Sequence, residues 1–133
     1  MAIQLSVAVR NARLDSIETT LGTGPILTIR TGAAPADCAA ANSGTVLATI
    51  TLPSDWAAAA SSGSTAKSGT WQDVAADATG TAAHFRIHDS GLAACPMQGT
   101  VGQGSGDLSL DNTALVAGQT LTINGFELTD GNA

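Results

Sequence analysis

The sequence predicts an all-β protein, an antiparallel β-sandwich or jelly roll of about seven strands preceded by a short N-terminal helix. Three observations predict this class. Short segments in which apolar residues alternate with a period of two recur from residue 25 onward. Gly, Pro, Asp and Asn separate these segments at regular spacing. Strands do not alternate with helical patterns, which argues against a parallel α/β sheet.

The first segment has a helical pattern over residues 4–21. Four apolar residues recur at spacings of seven, three and four, and therefore share one stripe of a helix: Val7, Leu14, Ile17 and Leu21. The Gly-Thr-Gly-Pro run at 22–25 ends the pattern, because glycine suits a helix C-cap and proline cannot continue a helix. We therefore expect an N-terminal helix or arm over 1–24 and a β domain over 25–133.

The clearest strands are predicted at 26–31 and 45–52, with an Ala-rich loop between them at 32–44. Weaker strands are predicted at 70–74, 82–88, 93–101, 107–110 and 119–129. In the last strand the alternation slips by one residue at Asn124-Gly125, which indicates a β-bulge at Gly125 or, alternatively, a two-residue hairpin turn.

The segment between the second and third predicted strands is rich in Ala, Ser and Gly. Ser54 could cap a short helical turn over 55–60. We expect a mobile loop over 61–69.

Composition indicates a thin core. Hydrophobic residues make up 44% of the 133 residues, but many are alanine, and aromatic residues make up only 3%. Because large side chains provide most of the burial energy, part of the stability is expected to come from contacts with other subunits.

The formal net charge is −6, with five Lys and Arg residues in all. A nucleic-acid surface needs clustered cations, so nucleic acid is not an expected partner. No run of about 18 apolar residues is present, so no membrane span is expected. The start lacks the basic and apolar regions of a signal peptide, which predicts synthesis in a cytoplasm and reduced cysteines.

His84, Arg86 and His88 alternate on one face of a predicted strand. Two histidines at this spacing could ligate a metal, but the sequence identifies no third ligand. The favoured interpretation is a solvated or interface-facing side, with Phe85 and Ile87 buried behind it. We predict no metal and no cofactor.

Cys38 and Cys95 are the only cysteines. They could form one disulfide or be small buried residues, and cytoplasmic synthesis favours the thiols. The sequence contains no CxxC motif, so it does not indicate a zinc site or thioredoxin-like chemistry.

Nothing in the sequence indicates an enzyme. There is no Gly-x-Ser-x-Gly elbow, and the Gly-rich run at 102–106 is expected to be a flexible hairpin tip rather than a phosphate cradle. The aspartates fit turns better than acid–base pairs: Asp55, Asp73, Asp77, Asp107 and Asp111. Trp56 and Trp71 could form a sugar-stacking platform, but they are better explained as large core residues.

The sequence resembles small structural proteins of tailed bacteriophage virions. The resemblance lies in the opening segment Val9–Thr19, the strand Ile26–Gly32, the Ala/Gly/Thr-rich body and the closing segment Leu128–Ala133. It implies a virion protein, and a capsid cement or decoration protein is the favoured role. Its expected partners are the major capsid protein or other virion proteins, and the chain itself is expected to form a dimer or trimer. It transfers no functional residue, since no motif matches residue by residue.

Two questions stay open at this point. The apolar helix stripe could contact another subunit or cover a face of the chain's own sandwich. The role could also be that of a tail, neck or fibre-base protein, or of a carbohydrate-binding module with an exposed tryptophan.

Overall fold

The structure is a computed structural model that describes residues 3–91 and 95–131. Within those residues it contains the helix α1 (Val7–Leu21) and ten strands. The strands are β1 (Ile26–Arg30), β2 (Val46–Thr51), β3 (Ser64–Ala66), β4 (Gln72–Asp73), β5 (Gly80–Thr81), β6 (His84–His88), β7 (Met97–Gln103), β8 (Leu108–Leu110), β9 (Ala114–Leu115) and β10 (Leu121–Thr129).

The predicted helix is confirmed, although it starts later than residue 4. The Ser6 side chain caps it by accepting a hydrogen bond from the Val9 amide at 3.3 Å. Gly22 ends it with a φ of 78°, and its amide donates to the Glu18 carbonyl.

Eight strands form one curled sheet, a half-barrel. Its order is β2-β1-β6-β7-β8-β10-β3, and β4 also pairs with β10; β5 and β9 form a separate two-stranded sheet. The prediction of a mostly β protein with one N-terminal helix is thus confirmed, and the strands form a curled sheet.

The open side of the curl, between β2 and β4, is bridged by two aspartates. The Thr49 amide donates to Asp73 Oδ2 at 3.1 Å, and the Thr49 hydroxyl donates to Asp77 Oδ2 at 2.8 Å. The Asp77 amide donates to the Leu47 carbonyl at 2.7 Å. These bonds satisfy polar groups at the edge of β2, which would otherwise be available for pairing with another chain.

The core lies inside the curl and contains all four aromatic side chains. Trp56 lies 6.1 Å from Trp71, Trp71 lies 5.2 Å from Phe126, and Phe126 lies 5.9 Å from Phe85, measured between ring centroids. Both tryptophans have no exposed surface. Their interpretation as core residues is confirmed, and neither is available to stack on a sugar.

Two expectations for 55–69 were wrong. Residues 55–60 contain no helical turn, because Ala57 bridges to Lys67 and the Ala58 amide donates to the Ala66 carbonyl. A short alanine run cannot sustain a helix against this pairing and the burial of Trp56. The predicted mobile loop over 61–69 contains β3, which pairs with β10.

The bulge in the last strand is confirmed, because the β10–β8 register shifts between Ile123 and Gly125. The strand continues through this point, so the hairpin alternative is wrong. The predicted strand 93–101 appears as β7 at 97–103; its residues 93 and 94 lie outside the described part.

The Gly-rich run at 102–106 does not form a hairpin tip. It returns the chain so that β8 runs parallel to β7, the one parallel pairing in the described sheet. Such a tight return needs glycine, since a Cβ on Gly102 would lie 2.6 Å from the Ser105 carbonyl oxygen. Sequence periodicity carries no information on this direction of pairing.

Candidate functional site

The outer face of the β1–β6 pair is polar and buried. Paired strands place side chains at alternate positions on the same face, and Thr28 pairs with Arg86 while Arg30 pairs with His84. All of the polar side chains on this face are less than a tenth exposed: Thr28, Arg30, His84, Arg86 and His88. The expectation of a solvated or interface-facing side was therefore wrong.

The Ala-rich segment 32–44 covers this face, and we call it the cover loop. It binds through its backbone carbonyls: Gly32 O lies 2.7 Å from His84 Nδ1, Pro35 O accepts from Gln98 Nε2 at 2.8 Å, and Ser43 O accepts from Arg30 Nη1 at 3.4 Å. Polar groups on the sheet thus replace the apolar contacts that the alanine-rich loop cannot supply.

Arg86 is the centre of this arrangement and is only 1% exposed. Its Nε donates to Cys95 Sγ at 3.0 Å, and its Nη1 donates to the Ala40 carbonyl at 3.0 Å and to Asn42 Oδ1 at 2.7 Å. Its Nη2 donates to the carbonyls of Asp37 at 3.4 Å and Cys38 at 2.8 Å. One guanidinium therefore fixes much of the cover loop.

Among the described residues, the side-chain hydrogen bonds of Arg30 and Arg86 go to neutral acceptors rather than to carboxylates. The Arg13–Asp130 ion pair lies elsewhere, between α1 and the residue after β10. Burial, followed by repulsion from Arg86, lowers the pKa of Arg30. An acidic protein thus holds a positively charged interior face.

A cavity of about 280 Å³ opens beside this face. The residues that line it are Ile26, Thr28, Arg30, Asn42, Val46, Thr49 and His88. His88 Nε2 lies 3.3 Å from Asn42 Oδ1, while Nδ1 is buried without a hydrogen-bond partner among the described residues. Burial, then Arg86 and then Arg30, lower the pKa of His88, which favours the neutral imidazole near neutral pH. With no acid in the lining, the cavity can accept a small neutral or anionic group.

His84 and His88 do not lie in a cluster of three metal-ligating side chains within the described part of the chain. The His84 ring is bonded to the cover loop through Nδ1. The sequence correctly placed the two histidines and Arg86 on one face. The sequence-based prediction did not include Thr28 and Arg30 from β1. Their alternation with Leu27 and Ile29 could have identified them as members of the same polar face.

Cys38 and Cys95 meet at the edge of the covered face. Both are partly buried, unbonded thiols. Arg86 contacts both residues, since its Nε donates to Cys95 Sγ at 3.0 Å and its Nη2 donates to the Cys38 carbonyl at 2.8 Å. Burial, followed by the non-covalent interaction with Cys95, raises the pKa of the Cys38 thiol. The Cys95 thiol also donates to the Met97 carbonyl at 3.2 Å.

The predicted helix stripe is divided between the chain's own core and its surface. Leu14 and Leu21 are buried, Ile17 packs against the core, and Val7 is 45% exposed. The role of the stripe in a subunit interface stays a prediction, and Val7 is its accessible member.

The aspartates predicted at turns mostly bind backbone amides. Asp73 accepts from Ala75, Asp107 from Thr100, and Asp111 from Asn112. These contacts fit structural turn residues rather than acid–base pairs.

Comparison with known protein families, curated protein sequences and solved structures found no match for the chain. Among the described residues, no helix has both the length and the apolar character needed to span a membrane.

Proposed function

We propose that this chain is a non-enzymatic structural protein of a tailed-bacteriophage virion, with capsid cement or decoration as its role. The observation that supports it best is the placement of α1: one side of the helix is fixed to the β domain, and its N-terminal end presents apolar side chains to solvent. The sandwich or jelly-roll arrangement expected of such proteins is part of this proposal.

The helix is attached by specific polar contacts as well as by its buried leucines. Asn11 Oδ1 accepts from the Gly63 amide at 2.8 Å, Asp15 Oδ1 accepts from the Ala60 amide at 2.9 Å, and Arg10 Nη1 donates to the Asp130 carbonyl at 3.0 Å. The helix is therefore presented in one orientation, which reduces the entropy lost when a partner binds.

The exposed apolar residues at this end are Ile3, Val7 and Val9, at 85%, 45% and 46% exposure. Burying them against a neighbour would be favourable by roughly 25 cal/mol per Å² of apolar surface. A small contact of this kind becomes effective when it is repeated over a lattice. We propose the major capsid protein as the occupant of this surface.

The covered face is consistent with a structural role. The donors of Arg86 are used to hold the cover loop, so this buried cation stabilises the fold rather than contacting a substrate.

Quantitative mass spectrometry of purified particles of the encoding phage tests the proposal. A copy number close to that of the major capsid protein would support the cement role. A handful of copies per particle would instead place the chain in the neck, tail or fibre base, and its absence from particles would overturn the virion proposal.

A binding experiment tests the surface itself. Particles that lack this protein should bind the wild-type chain and should bind a V7D/V9D double variant at least tenfold less tightly. Val74→Asp, at a more exposed valine outside the helix, is the control and should bind like wild type. Equal binding by all three chains would exclude the helix end as the contact.

A further inference from the structure

We propose that Cys38 and Cys95 are a redox modification site: an oxidant of the disulfide class, such as glutathione disulfide, converts them to an intramolecular disulfide that fastens the cover loop to the start of β7. This inference concerns a covalent change in the folded chain and does not depend on the proposed virion role.

The two sulfurs are brought together by the fold. Cys38 lies in the cover loop and Cys95 lies two residues before β7, and Cys95 is close enough to raise the pKa of the Cys38 thiol. Arg86 fixes both partners, since its Nη2 donates to the Cys38 carbonyl at 2.8 Å and its Nε donates to Cys95 Sγ at 3.0 Å. A disulfide needs the two Cα atoms within about 7 Å of each other, and the shared guanidinium holds the two residues in proximity.

The position also allows an oxidant to reach the pair. Both cysteines are partly exposed, in contrast to Arg86 beneath them. The covered face therefore has its reactive sulfurs at its rim, where a small disulfide can approach.

The reaction follows thiol–disulfide exchange. The Cys95 thiol loses its proton, and its sulfur attacks one sulfur of glutathione disulfide, so that a glutathione thiolate leaves and a mixed disulfide remains on Cys95. The Cys38 thiol then loses its proton, its sulfur attacks the Cys95 sulfur, and the second glutathione thiolate leaves. Two protons and two electrons pass from the cysteines to glutathione, which ends as two thiols.

The order of attack follows from the environment of Cys38. Burial, followed by the interaction with Cys95, raises the pKa of the Cys38 thiol, so we assign Cys38 as the resolving sulfur. Cys95 Sγ, which accepts a hydrogen bond from Arg86 Nε at 3.0 Å, is the sulfur assigned to react first.

The product would close a covalent loop across residues 38–95. Such a bond restricts the unfolded chain and would also prevent the cover loop from opening. Oxidation should therefore raise the melting temperature and slow proteolysis within the cover loop.

The test uses the full chain, purified under reducing conditions and then incubated with glutathione disulfide. Intact-mass spectrometry should show a product lighter by two hydrogen atoms, and peptide mapping should join the Cys38 and Cys95 peptides. Cys38→Ser should instead accumulate one glutathione adduct on Cys95, because the resolving thiol is absent. Cys95→Ser should form an adduct on Cys38 at least several-fold more slowly.

Three results would overturn the proposal. In the first, the wild-type chain carries two stable glutathione adducts. In the second, the main product is a disulfide-linked dimer. In the third, the thiols of the native chain stay unmodified while the urea-unfolded chain oxidises. The wild-type measurement decides the outcome even where a serine variant folds poorly. None of these results depends on the copy number of the chain in virions, so this proposal and the virion proposal can fail independently.

Discussion

Arg86 is a buried cation whose hydrogen bonds go to neutral acceptors rather than to a carboxylate. Five neutral acceptors surround the guanidinium, three of them backbone carbonyls of the cover loop. A charge can be buried in this way only when its donors are satisfied, because an unsatisfied buried charge is strongly destabilising. The residue and the loop therefore depend on each other.

Arg86→Met should lower the free energy of unfolding by about 3 kcal/mol or more, because several buried carbonyls lose their donor at once. Urea unfolding measures this change. Arg13→Met is the control: Arg13 is largely exposed in its pair with Asp130, and its loss should cost at most about 1 kcal/mol. Equal effects of the two substitutions would contradict the role assigned to Arg86.

His88 makes stability depend on pH. Its pKa in the folded state is lowered, by burial first and by Arg86 and Arg30 next, with Asp89 opposing them. As the pH falls below the unfolded value of about 6.5, the unfolded chain takes up a proton that the folded chain resists, so stability decreases down to the folded pKa and then levels off. Stability above about pH 6.5 is unaffected by this group.

His88→Gln should remove most of that slope. Urea midpoints measured between pH 7.5 and 5.5 should fall for wild type and stay flatter for the variant. A wild-type curve that rises as the pH falls through this window would show that His88 is stabilised in its charged form.

Among the elements, the β7–β8 return depends on the absence of a side chain at Gly99. A Cβ there would lie 2.7 Å from Phe85 Cε1 and 2.9 Å from Asp107 Oδ2. Asp107 in turn accepts from the Thr100 amide and hydroxyl, both at 2.9 Å, which fixes the return. Because Gly99 has no side chain, the Phe85 ring and the Asp107 carboxylate can both pack closely against β7.

Gly99→Ala should cost about 1–3 kcal/mol, since the core ring and the anchoring carboxylate must both shift. Gly125→Ala is the matched control, because its Cβ would meet nothing closer than 3.6 Å and the change should stay within about 0.5 kcal/mol. Thermal or urea unfolding of the two variants distinguishes them. Indistinguishable midpoints would show that the return relaxes freely.

The helix α1 belongs partly to the core. Leu14→Ala should cost about 2–5 kcal/mol, whereas Val7→Ala should change the stability by no more than about 0.5 kcal/mol. Deletion of residues 1–21 should destabilise the β domain, since it uncovers apolar surface and removes the contacts of Asn11 and Asp15. Unfolding of the truncated chain, followed by circular dichroism, checks this.

At the scale of the whole molecule, the four aromatic rings form one connected core. Both tryptophans are inaccessible, so the native chain should show blue-shifted emission, weak quenching by iodide and no response to added sugars. Denaturation in urea should restore quenching. Strong quenching of the native chain would show that a tryptophan is exposed, and would reopen the carbohydrate-binding alternative.

The sequence predicted those parts of the fold that depend on local pattern. The helix, β1, β2 and the bulge in β10 each follow from periodicity within a few residues. The parallel β7–β8 pair and the segment 55–60 did not, because periodicity does not specify which strands pair or in which direction. Alanine-rich stretches also have no strong periodicity of their own, so pairing decides their structure.

The candidate site was predicted only in part for a related reason. Alternation placed His84, Arg86 and His88 on one face, but their burial depends on the cover loop. That loop binds mainly through backbone carbonyls, which every residue has and which leave no mark in the sequence. Cys38 and Cys95 were identified as the only thiols, while their proximity required the fold.

The burial of two arginines also changes what a neighbouring molecule meets. Arg30 and Arg86 are almost removed from solvent, so the cations left near the surface are Arg10, Arg13 and Lys67, against eleven carboxylates. The exterior is therefore more acidic than the formal charge of −6 suggests. Identical copies placed side by side would repel one another over a range of about 10 Å at 0.1 M salt, and dissolved cations would be needed for them to crowd together.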